Sequence, residues 1–200
     1  KKQFFNYKNK PLFMHSIEKA KKSKLFKKVL LVTNKQLKIP GVSVIKGGKE
    51  RADSSFKALK YLKNKNIKNV FIHDAARPDF SIKLLKKIKK NLNNNKAVVP
   101  YINTNNSIKY AYKNKIINLI RERVFLTQTP QCFDFKTLYN LSKNNKNYVT
   151  DESALFLNNN KKVKFIKGEQ TNKKITKKID LYKNEIKTFY GIGFDIHKLV

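Results

Sequence analysis

The sequence predicts an α/β fold in which an open, mostly parallel sheet carries a projecting β-hairpin. Three observations support this prediction. Short apolar runs alternate along the chain with segments in which apolar residues recur every three or four positions. The apolar runs are hydrophobic at consecutive positions, as in strands that helices cover on both faces. Near the middle of the chain, two runs instead alternate apolar and polar residues across one turn, which predicts a hairpin.

The first half of the chain contains repeated strand–helix units, which favour a parallel sheet with right-handed crossovers. Gly47 and Gly48 end the second strand, and Ser81 is a suitable N-cap for the third helix. We predict, in order, a helix over 11–22, strands over 28–33 and 42–45, a helix over 54–62, a strand over 69–72, a helix over 81–92 and a strand over 97–100.

The second half begins with the hairpin, which turns around Asn114. Thr150 is the predicted cap of a later helix, and Asp151 and Glu152 favour the first turn of that helix because acidic side chains stabilise a helix N-terminus. We predict hairpin strands over 107–112 and 115–120, helices over 135–142 and 151–157, a last strand over 162–166, and a linker or terminal helix over 178–189.

The chain has 200 residues, enough for one sizeable domain, and a formal net charge of +33, which raises the question of nucleic-acid binding. Two features argue against that interpretation. Only four of the 46 basic residues are arginine, the residue best suited to phosphates and base edges. The lysines are spread along the chain among asparagines, as expected from coding bias toward AAA and AAT codons. The charge therefore indicates a solvated surface with weak, non-specific attraction to polyanions. Because arginine is scarce, Arg51, Arg77 and Arg121 are candidate functional residues.

Cysteine content and hydropathy indicate the cellular compartment of the protein. The single cysteine, Cys132, excludes an internal disulfide and fits a reducing cytoplasm, and its apolar neighbours indicate a buried, inert thiol. No apolar run approaches the roughly 20 residues of a membrane span, and the first residues lack the apolar core of a signal peptide. We therefore expect a cytoplasmic protein without membrane attachment. We also expect a fragment, because the chain lacks an initiator methionine.

The most informative segment, residues 73–78, follows the strand over 69–72 and reads His-Asp-Ala-Ala-Arg-Pro. In an open α/β sheet, ligands bind just beyond the carboxyl ends of the strands. The carboxylate of Asp74 and the guanidinium of Arg77 indicate a phosphate and metal site. The alanines between them would let a ligand approach the backbone. The alternative is a strand-to-helix turn with a local ion pair, and the residues by themselves leave both open. His73 is expected to pack and hydrogen-bond rather than to act as a general base.

Further segments accompany this run in order along the chain, at 1–4, 47–54, 128–133, 150–154 and 172–176. Together they resemble the 2-C-methyl-D-erythritol 4-phosphate cytidylyltransferase family, of the non-mevalonate isoprenoid pathway, over roughly residues 1–182. The resemblance implies a Rossmann-like nucleotidyltransferase sheet, mostly parallel, with a projecting β-hairpin arm. It implies that CTP with Mg²⁺ and methylerythritol phosphate are the substrates and that pyrophosphate is released. It also implies a homodimer in which the arm clasps a second subunit, with no specific nucleic acid as partner.

The family's motifs imply roles for the residues at matching positions. Lys2, in the match to the family's P-K-Q motif, is expected to contact the triphosphate, and Lys174, in the later K-I-T match, to hold the reacting phosphate. Both are expected to be catalytic, although without the motifs each is one more surface lysine. The residues expected to bind the nucleotide are Gly48, Ser54, Asp74 and Ala75. The residues expected to bind methylerythritol phosphate are Asp74, Arg77, Ser107, Arg121, Thr150 and Lys174.

Some positions depart from the family pattern. Lys1 stands where the family commonly has proline. Lys49 stands where the family often has aspartate, which removes one expected contact to the cytosine base, and Asn106 replaces the aspartate of a D-T motif, which removes a carboxylate. Gln131 and Asp151 are expected to support the architecture rather than to bind substrate.

The end of the chain, residues 190–200, resembles the first strand of 2-C-methyl-D-erythritol 2,4-cyclodiphosphate synthase, and residues 183–189 are expected to link the two parts. The resemblance implies that Asp195 and His197 bind a divalent metal such as Zn²⁺, as part of a site that needs a third ligand. We therefore expect the front part of a bifunctional enzyme. The family's glycine-rich triphosphate loop would precede residue 1, so the chain as given is not expected to turn over.

Two other functions stay open at this stage. A related nucleotidyltransferase could use another sugar or alcohol phosphate, and acceptor choice would distinguish it. A basic nucleic-acid-binding module would instead show steeply salt-dependent affinity for polynucleotides.

Overall fold

The computed structural model describes residues 2–145, 149–177 and 179–182. A 3-10 helical turn over Lys2–Phe4 precedes the first strand. The α-helices are α1 (Leu12–Ser23), α2 (Arg51–Leu62), α3 (Ile82–Leu92), α4 (Phe135–Asn144), α5 (Glu152–Leu157) and α6 (Ile179–Tyr182). The strands are β1 (Asn6–Tyr7), β2 (Lys10–Pro11), β3 (Leu30–Val32), β4 (Ser43–Ile45), β5 (Asn69–Ile72), β6 (Ala97–Ile102), β7 (Ile108–Tyr112), β8 (Lys115–Leu119), β9 (Leu126–Thr127), β10 (Gln131–Asp134) and β11 (Lys164–Lys167).

The main sheet has the strand order β11-β6-β10-β5, with β9 paired to β6. Strand β11 runs parallel to β6, whereas β10 is antiparallel to both of its neighbours. The α/β class is confirmed, and the sheet is mixed where the sequence predicts a mostly parallel one. The chain reaches β10 from β6 through the hairpin and β9, without a crossover helix, and therefore returns in the opposite direction.

Alternate residues of the central strands face opposite sides of the sheet. Val99 and Phe133 pack in a core cluster with side chains of α2, α4 and α5, whereas Val98 and Cys132 pack in a second cluster with side chains of α3. This two-residue period places helices on both faces of the sheet. Burial raises the pKa of the Cys132 thiol, so the prediction of a buried, unreactive cysteine is confirmed.

Two smaller pairings complete the described fold. Strands β3 and β4 form a parallel pair, and β7 and β8 form the hairpin that the sequence predicts. The hairpin turns at Lys113, whose φ of 51° is of the left-handed kind that a tight turn uses. Both faces of the hairpin carry apolar side chains in solvent, including Ile116, which is 75% exposed.

Helix boundaries confirm some predictions and correct others. Ser81 caps α3, because its Oγ accepts a hydrogen bond from the Leu84 N–H at 3.0 Å. Thr150 is not the cap of α5, because Asp151 takes that position and accepts from the N–H of Ala154. A carboxylate is an equally good cap and also favours the helix dipole. Within the described residues, no helix combines the length and the apolar character needed to cross a bilayer.

Candidate active site

Asp74 lies just beyond the carboxyl end of β5 and is the centre of the candidate site. Its Oδ1 accepts a hydrogen bond from Arg51 Nε at 3.1 Å, and its Oδ2 lies 2.9 Å from Lys174 Nζ. Burial alone would raise the pKa of this carboxyl, but the two cations outweigh burial and hold the pKa at about 2. Asp74 is therefore a carboxylate at neutral pH, placed between cations from distant parts of the chain.

The loop after β11 brings Lys174 to this carboxylate. Gln128 is 2% exposed, and its Nε2 donates to the carbonyl oxygens of Glu169 at 2.8 Å and Asn172 at 3.2 Å. Its Oε1 accepts from the Glu169 N–H at 3.1 Å. Gly168 permits this approach, because a Cβ there would lie 2.3 Å from Gln128 Oε1. A buried amide thus fixes the path of the loop that carries Lys174.

Arg51 joins Asp74 to a buried glutamate. The Nη1 and Nη2 groups of Arg51 donate to Oε1 and Oε2 of Glu152 at 2.9 and 2.8 Å, a bidentate pair. Glu152 is 3% exposed and opens α5, 101 positions after Arg51. The scarcity of arginine points to Arg51, but the sequence predicts no partner for it. Nothing local to Glu152 distinguishes it from an acidic residue that favours a helix N-terminus.

The loop after β4 presents Gly48 and Ser54 next to Arg51. The N–H of Gly48 donates to Ser54 Oγ at 3.0 Å. Glycine is required at this position, because a Cβ would lie 2.1 Å from Cβ of Asp53. The N–H of Glu50 donates to Asp53 Oδ2 at 3.2 Å, which satisfies one of the free donors at the start of α2. The chain therefore turns tightly into the helix whose first residue is Arg51.

Two cavities open beside Arg51. One, of ≈ 340 Å³, is lined by Gly48 and Ser54 together with the carboxyl end of β3. The other, of ≈ 570 Å³, lies between β3 and β5 and is lined by Ser54, Asp74 and Ala75. Gly48 and Ser54 therefore border one cavity, Ser54, Asp74 and Ala75 border the other, and Arg51 lines both.

Arg77 turns its guanidinium to the backbone. Its Nη1 donates to the carbonyl oxygen of Asn172 at 2.8 Å and its Nη2 to that of Thr127 at 3.3 Å. Among the described residues its buried Nε has no partner. Burial lowers the pKa of Arg77 although Asp74 opposes that effect. In this arrangement Arg77 ties the Lys174 loop to β9, and its contact with substrate stays a prediction.

His73 has partners at both ring nitrogens. Nδ1 lies 3.1 Å from Thr129 Oγ1, and Nε2 lies 3.0 Å from Ser16 Oγ. Burial lowers the pKa of the imidazole to about 4, so the ring is neutral at physiological pH. These contacts fit the structural role that the sequence analysis expects for His73.

Arg121 and Ser107 form a second group, at the foot of the hairpin. Arg121 Nη1 donates to the carbonyl oxygen of Asn105 at 2.8 Å, and its Nε donates to Glu122 Oε1 at 2.9 Å. Both Arg121 and Ser107 are exposed. The guanidinium is thus held beside the loop that carries Ser107, with its charge accessible to a ligand.

Thr150 is exposed and precedes the cap of α5. The neighbouring Asp151 accepts hydrogen bonds from Gln131 Nε2 at 2.9 Å and Ser153 Oγ at 2.6 Å. Although burial opposes it, these donors lower the pKa of Asp151. Asp151 and Gln131 therefore have the supporting contacts that the sequence analysis expects.

Some predicted site residues lie outside the description. The side chain of Lys2 is one, and Asp195 and His197, the metal ligands expected at the end of the chain, are the others. Across residues 2–145, 149–177 and 179–182, no three His, Cys, Asp or Glu side chains cluster in a way that could hold a metal ion.

The arrangement suits phosphate chemistry. Two cations, Arg51 and Lys174, meet at a strand end beside a glycine turn, which is the place where α/β sheets bind nucleotides. Asp74 fixes the positions of both cations, and the side chain of Lys174 stays 43% exposed. Such a site can align phosphates and stabilise charge that develops on their oxygens.

A family model and curated proteins match this chain over most of its length. The family model described as 2-C-methyl-D-erythritol 4-phosphate cytidylyltransferase matches residues 1–188. The chain is 48% identical over 206 residues to the bifunctional enzyme IspD/IspF of Pelagibacter ubique, with all of this chain and 55% of that protein covered. It is 35% identical to the 2-C-methyl-D-erythritol 4-phosphate cytidylyltransferase of Thermosipho melanesiensis, covering 90% of this chain and 86% of that one. The chain spans about half the length of the bifunctional relatives it matches.

Solved structures share the fold. The 4-diphosphocytidyl-2C-methyl-D-erythritol synthase of Anaerococcus prevotii superposes with a TM-score of 0.81 at 26% identity, over 88% of this chain and 85% of that one. The bifunctional IspDF of Campylobacter jejuni superposes with a TM-score of 0.79 at 28% identity, over 92% of this chain and 48% of that one.

Proposed function

Because the chain belongs to the 2-C-methyl-D-erythritol 4-phosphate cytidylyltransferase family, we propose that the whole protein transfers the cytidylyl group of CTP to methylerythritol phosphate. The acceptor's phosphate oxygen attacks the α-phosphorus of CTP, and pyrophosphate leaves. The observation that carries this proposal is the meeting of Arg51, Asp74 and Lys174 at the carboxyl end of β5, beside the Gly48 turn.

In this proposal the residues align phosphates and stabilise charge. Gly48, Ser54 and Ala75 border the nucleotide, with the Gly48 turn allowing close approach of the base. Lys174 holds the reacting phosphate, and Lys2 contacts the triphosphate. Asp74 orients Lys174 and faces both substrates. The residues that hold methylerythritol phosphate are Arg77, Ser107, Arg121 and Thr150, together with Asp74 and Lys174.

A Mg²⁺ ion held by the protein does not fit the described side chains. Asp74 and Glu50 are the carboxylates that line the two cavities. Both oxygens of Asp74 already face a cation, whereas Mg²⁺ is usually held by one or two carboxylates together with substrate phosphates. We therefore treat Mg²⁺ as part of the nucleotide substrate and derive no step from a metal site of the protein.

We propose that the whole protein also supplies a strand between β3 and β5, followed by the glycine-rich loop that the family uses for the triphosphate. Within the described residues β3 pairs only with β4, and β5 only with β10, so their facing edges leave backbone groups without ladder partners. The ≈ 570 Å³ cavity between them has apolar walls that include Leu31 and Val70. A buried parallel strand suits both features.

We propose that residues 183–189 link this domain, residues 1–182, to a second one that begins at 190. The motif of Asp195 and His197 supports a metal-dependent cyclodiphosphate synthase there, with Zn²⁺ as one suitable ion. The length of the bifunctional relatives, of which this chain covers only part, supports it as well. The single cysteine, buried and unpaired, supports a cytoplasmic location.

The experiment that tests the function is an assay of the whole gene product. Purified protein with MgCTP and methylerythritol phosphate should release pyrophosphate and form the cytidine diphosphate derivative, whereas the 200-residue chain alone should not. Turnover of CTP with other acceptors but not with methylerythritol phosphate would contradict the proposal and favour a related nucleotidyltransferase. Polynucleotide binding without any turnover would favour the nucleic-acid module.

Arg121→Lys should weaken the use of methylerythritol phosphate while CTP binding stays nearly intact. Lysine keeps the charge but loses the planar fork that can bind a phosphate with two hydrogen bonds. We expect KM for methylerythritol phosphate to rise about tenfold, with KM for CTP within about twofold of the wild type. Arg123→Lys is a matched control on the same 3-10 turn. Equal damage to the use of both substrates would contradict the placement of Arg121.

The hairpin should hold two copies of the protein together. Ile116 is 75% exposed on one face of the hairpin, and Tyr112 and Ile117 are 53% and 45% exposed on the other, as in an arm that another chain covers. Ile116→Asp should therefore raise the dissociation constant of the homodimer by about tenfold or more, because it replaces an apolar side chain that the dimer buries with a charged one. Analytical ultracentrifugation of the whole protein measures this, with Lys115→Ala as the control on the same strand. A wild-type protein that sediments as a monomer would contradict the dimer.

A further inference from the structure

Four charged side chains alternate in sign along one path through the site. Glu152 binds Arg51, Arg51 binds Asp74, and Asp74 binds Lys174. The N–O distances of these ion pairs are 2.8, 3.1 and 2.9 Å. The path joins α5, α2, the end of β5 and the loop after β11, so it connects elements that the sequence places far apart.

The two ends of the path differ in exposure. The side chain of Glu152 is 4% exposed and that of Lys174 is 43%, with Arg51 at 34% and Asp74 at 17% between them. A buried carboxylate without a partner is strongly unfavourable, so Glu152 must keep its guanidinium. The buried end is therefore the fixed end of the path, and the exposed end is the ammonium of Lys174.

Arg51 divides its donors unequally between the two carboxylates. Its two terminal nitrogens are occupied by Glu152, and only Nε is directed to Asp74, at Oδ1. The other oxygen of Asp74, Oδ2, is thereby left for Lys174. Without Glu152 the planar fork of Arg51 could bind both oxygens of Asp74 and compete with Lys174 for them.

We propose that Glu152 and Arg51 are positioning residues that keep Oδ2 of Asp74 available for Lys174 and so fix the ammonium at the reacting phosphate. This inference rests on the proposed function. Glu152 acts by occupying the terminal nitrogens of Arg51, and Arg51 acts by holding one oxygen of Asp74 through Nε. Neither needs to contact the substrate.

The position of Lys174 can be measured without any activity. Amine acylation of the whole protein, followed by mass spectrometry, should show Lys174 reacting at least threefold faster in Glu152→Gln than in the wild type, because a lysine in an ion pair is less available. The adjacent Lys173, which is exposed, is the internal control and should not change. Glu18→Gln, which removes the carboxylate paired with Lys10 on the surface, is the matched control variant.

Kinetics should show the same coupling. In the whole enzyme Glu152→Gln should lower kcat about tenfold, with a smaller change in KM for CTP. In a Lys174→Met background the same substitution should change kcat by less than about twofold, since the group it positions is gone. If Glu152→Gln does not fold, Arg51→Lys serves as the second variant, because a single ammonium cannot hold both carboxylates as the fork does.

The outcomes separate the two proposals. An unchanged acylation rate of Lys174 in a folded Glu152→Gln or Arg51→Lys variant would overturn the positioning role. Kinetic effects of Glu152→Gln and Lys174→Met that multiply independently would overturn it as well, because they would indicate a merely structural glutamate. A wild-type protein that transfers no cytidylyl group, but whose Lys174 is released in Glu152→Gln, would contradict the proposed function and leave the positioning role in place.

Discussion

Asp74→Asn should lower kcat/KM for cytidylyl transfer by about 100-fold or more. The amide cannot bind Arg51 and Lys174 as an anion does, so the two cations lose the group that holds them together. Losses of this size are typical when a preorganised charged group at a reacting centre is removed. The measurement is pyrophosphate release by the whole protein at saturating and limiting CTP.

The matched control is Asp79→Asn. Asp79 also follows β5, but it binds Lys8 and the hydroxyl of Tyr7 away from the candidate site. We expect kcat/KM of that variant to stay within about threefold of the wild type. An Asp74→Asn enzyme that keeps wild-type kcat/KM would show that Asp74 is not at the reacting centre.

Asp74→Asn should also change how the free energy of unfolding depends on pH in acid. The pKa of Asp74, about 2, lies below the ordinary value of 3.8 because Arg51 and Lys174 outweigh the effect of burial. A depressed pKa means that this carboxylate stabilises the fold above its unfolded pKa and loses that contribution as pH falls through the folded value. The difference in unfolding free energy between wild type and Asp74→Asn should therefore be constant near neutral pH and shrink between about pH 4 and pH 2.

Phe133→Ala should lower the free energy of unfolding by about 3–5 kcal/mol. Phe133 is fully buried on β10, between β5 and β6, and its ring stacks on that of Phe156 with centroids 5.3 Å apart. Its removal leaves a cavity at the junction of the sheet and α5, where packed neighbours such as Val99 and Leu138 cannot close it fully. Urea denaturation of the whole protein, followed by circular dichroism, measures the change.

Leu157→Ala is the control for this substitution, because Leu157 is 49% exposed at the end of α5. We expect a change of less than about 1 kcal/mol there. Phe133→Leu is the milder variant for the case in which Phe133→Ala does not fold. A loss below about 1 kcal/mol for Phe133→Ala would show that β10 is not the centre of the core.

The elements with strong local signals could be predicted from the sequence. The serine before α3, the alternating runs of the hairpin and the apolar run of β5 each carry their signal within a few residues. Errors arose where two local solutions were equally good. Either Thr150 or Asp151 could cap α5, and in the structure the aspartate takes that position. Helix α2 begins at Arg51, three residues before the predicted start at Ser54. Apolar periodicity does not reveal the first turn, because that turn is mostly polar.

The direction of β10 illustrates a different limit. Its residues have the apolar character of a buried strand, and the sequence predicts such a context for Cys132. Whether the strand runs with its neighbours or against them depends on how the chain reaches it. The hairpin between β6 and β10 replaces the crossover helix that a parallel neighbour would need, and so the sheet is mixed.

The sequence by itself determined the α/β class, the projecting hairpin, the carboxylate at the end of β5 and the motifs that resemble one family. These depend on residue types at short spacings, which local periodicity and turn chemistry report. Only the tertiary structure decided that Glu152 pairs with Arg51 and that Lys174 pairs with Oδ2 of Asp74. Ion pairs between residues 101 positions apart depend on how helices and loops pack around the sheet. No local pattern carries that information, because the energy of a buried charge pair depends on the surrounding fold rather than on its neighbours in sequence.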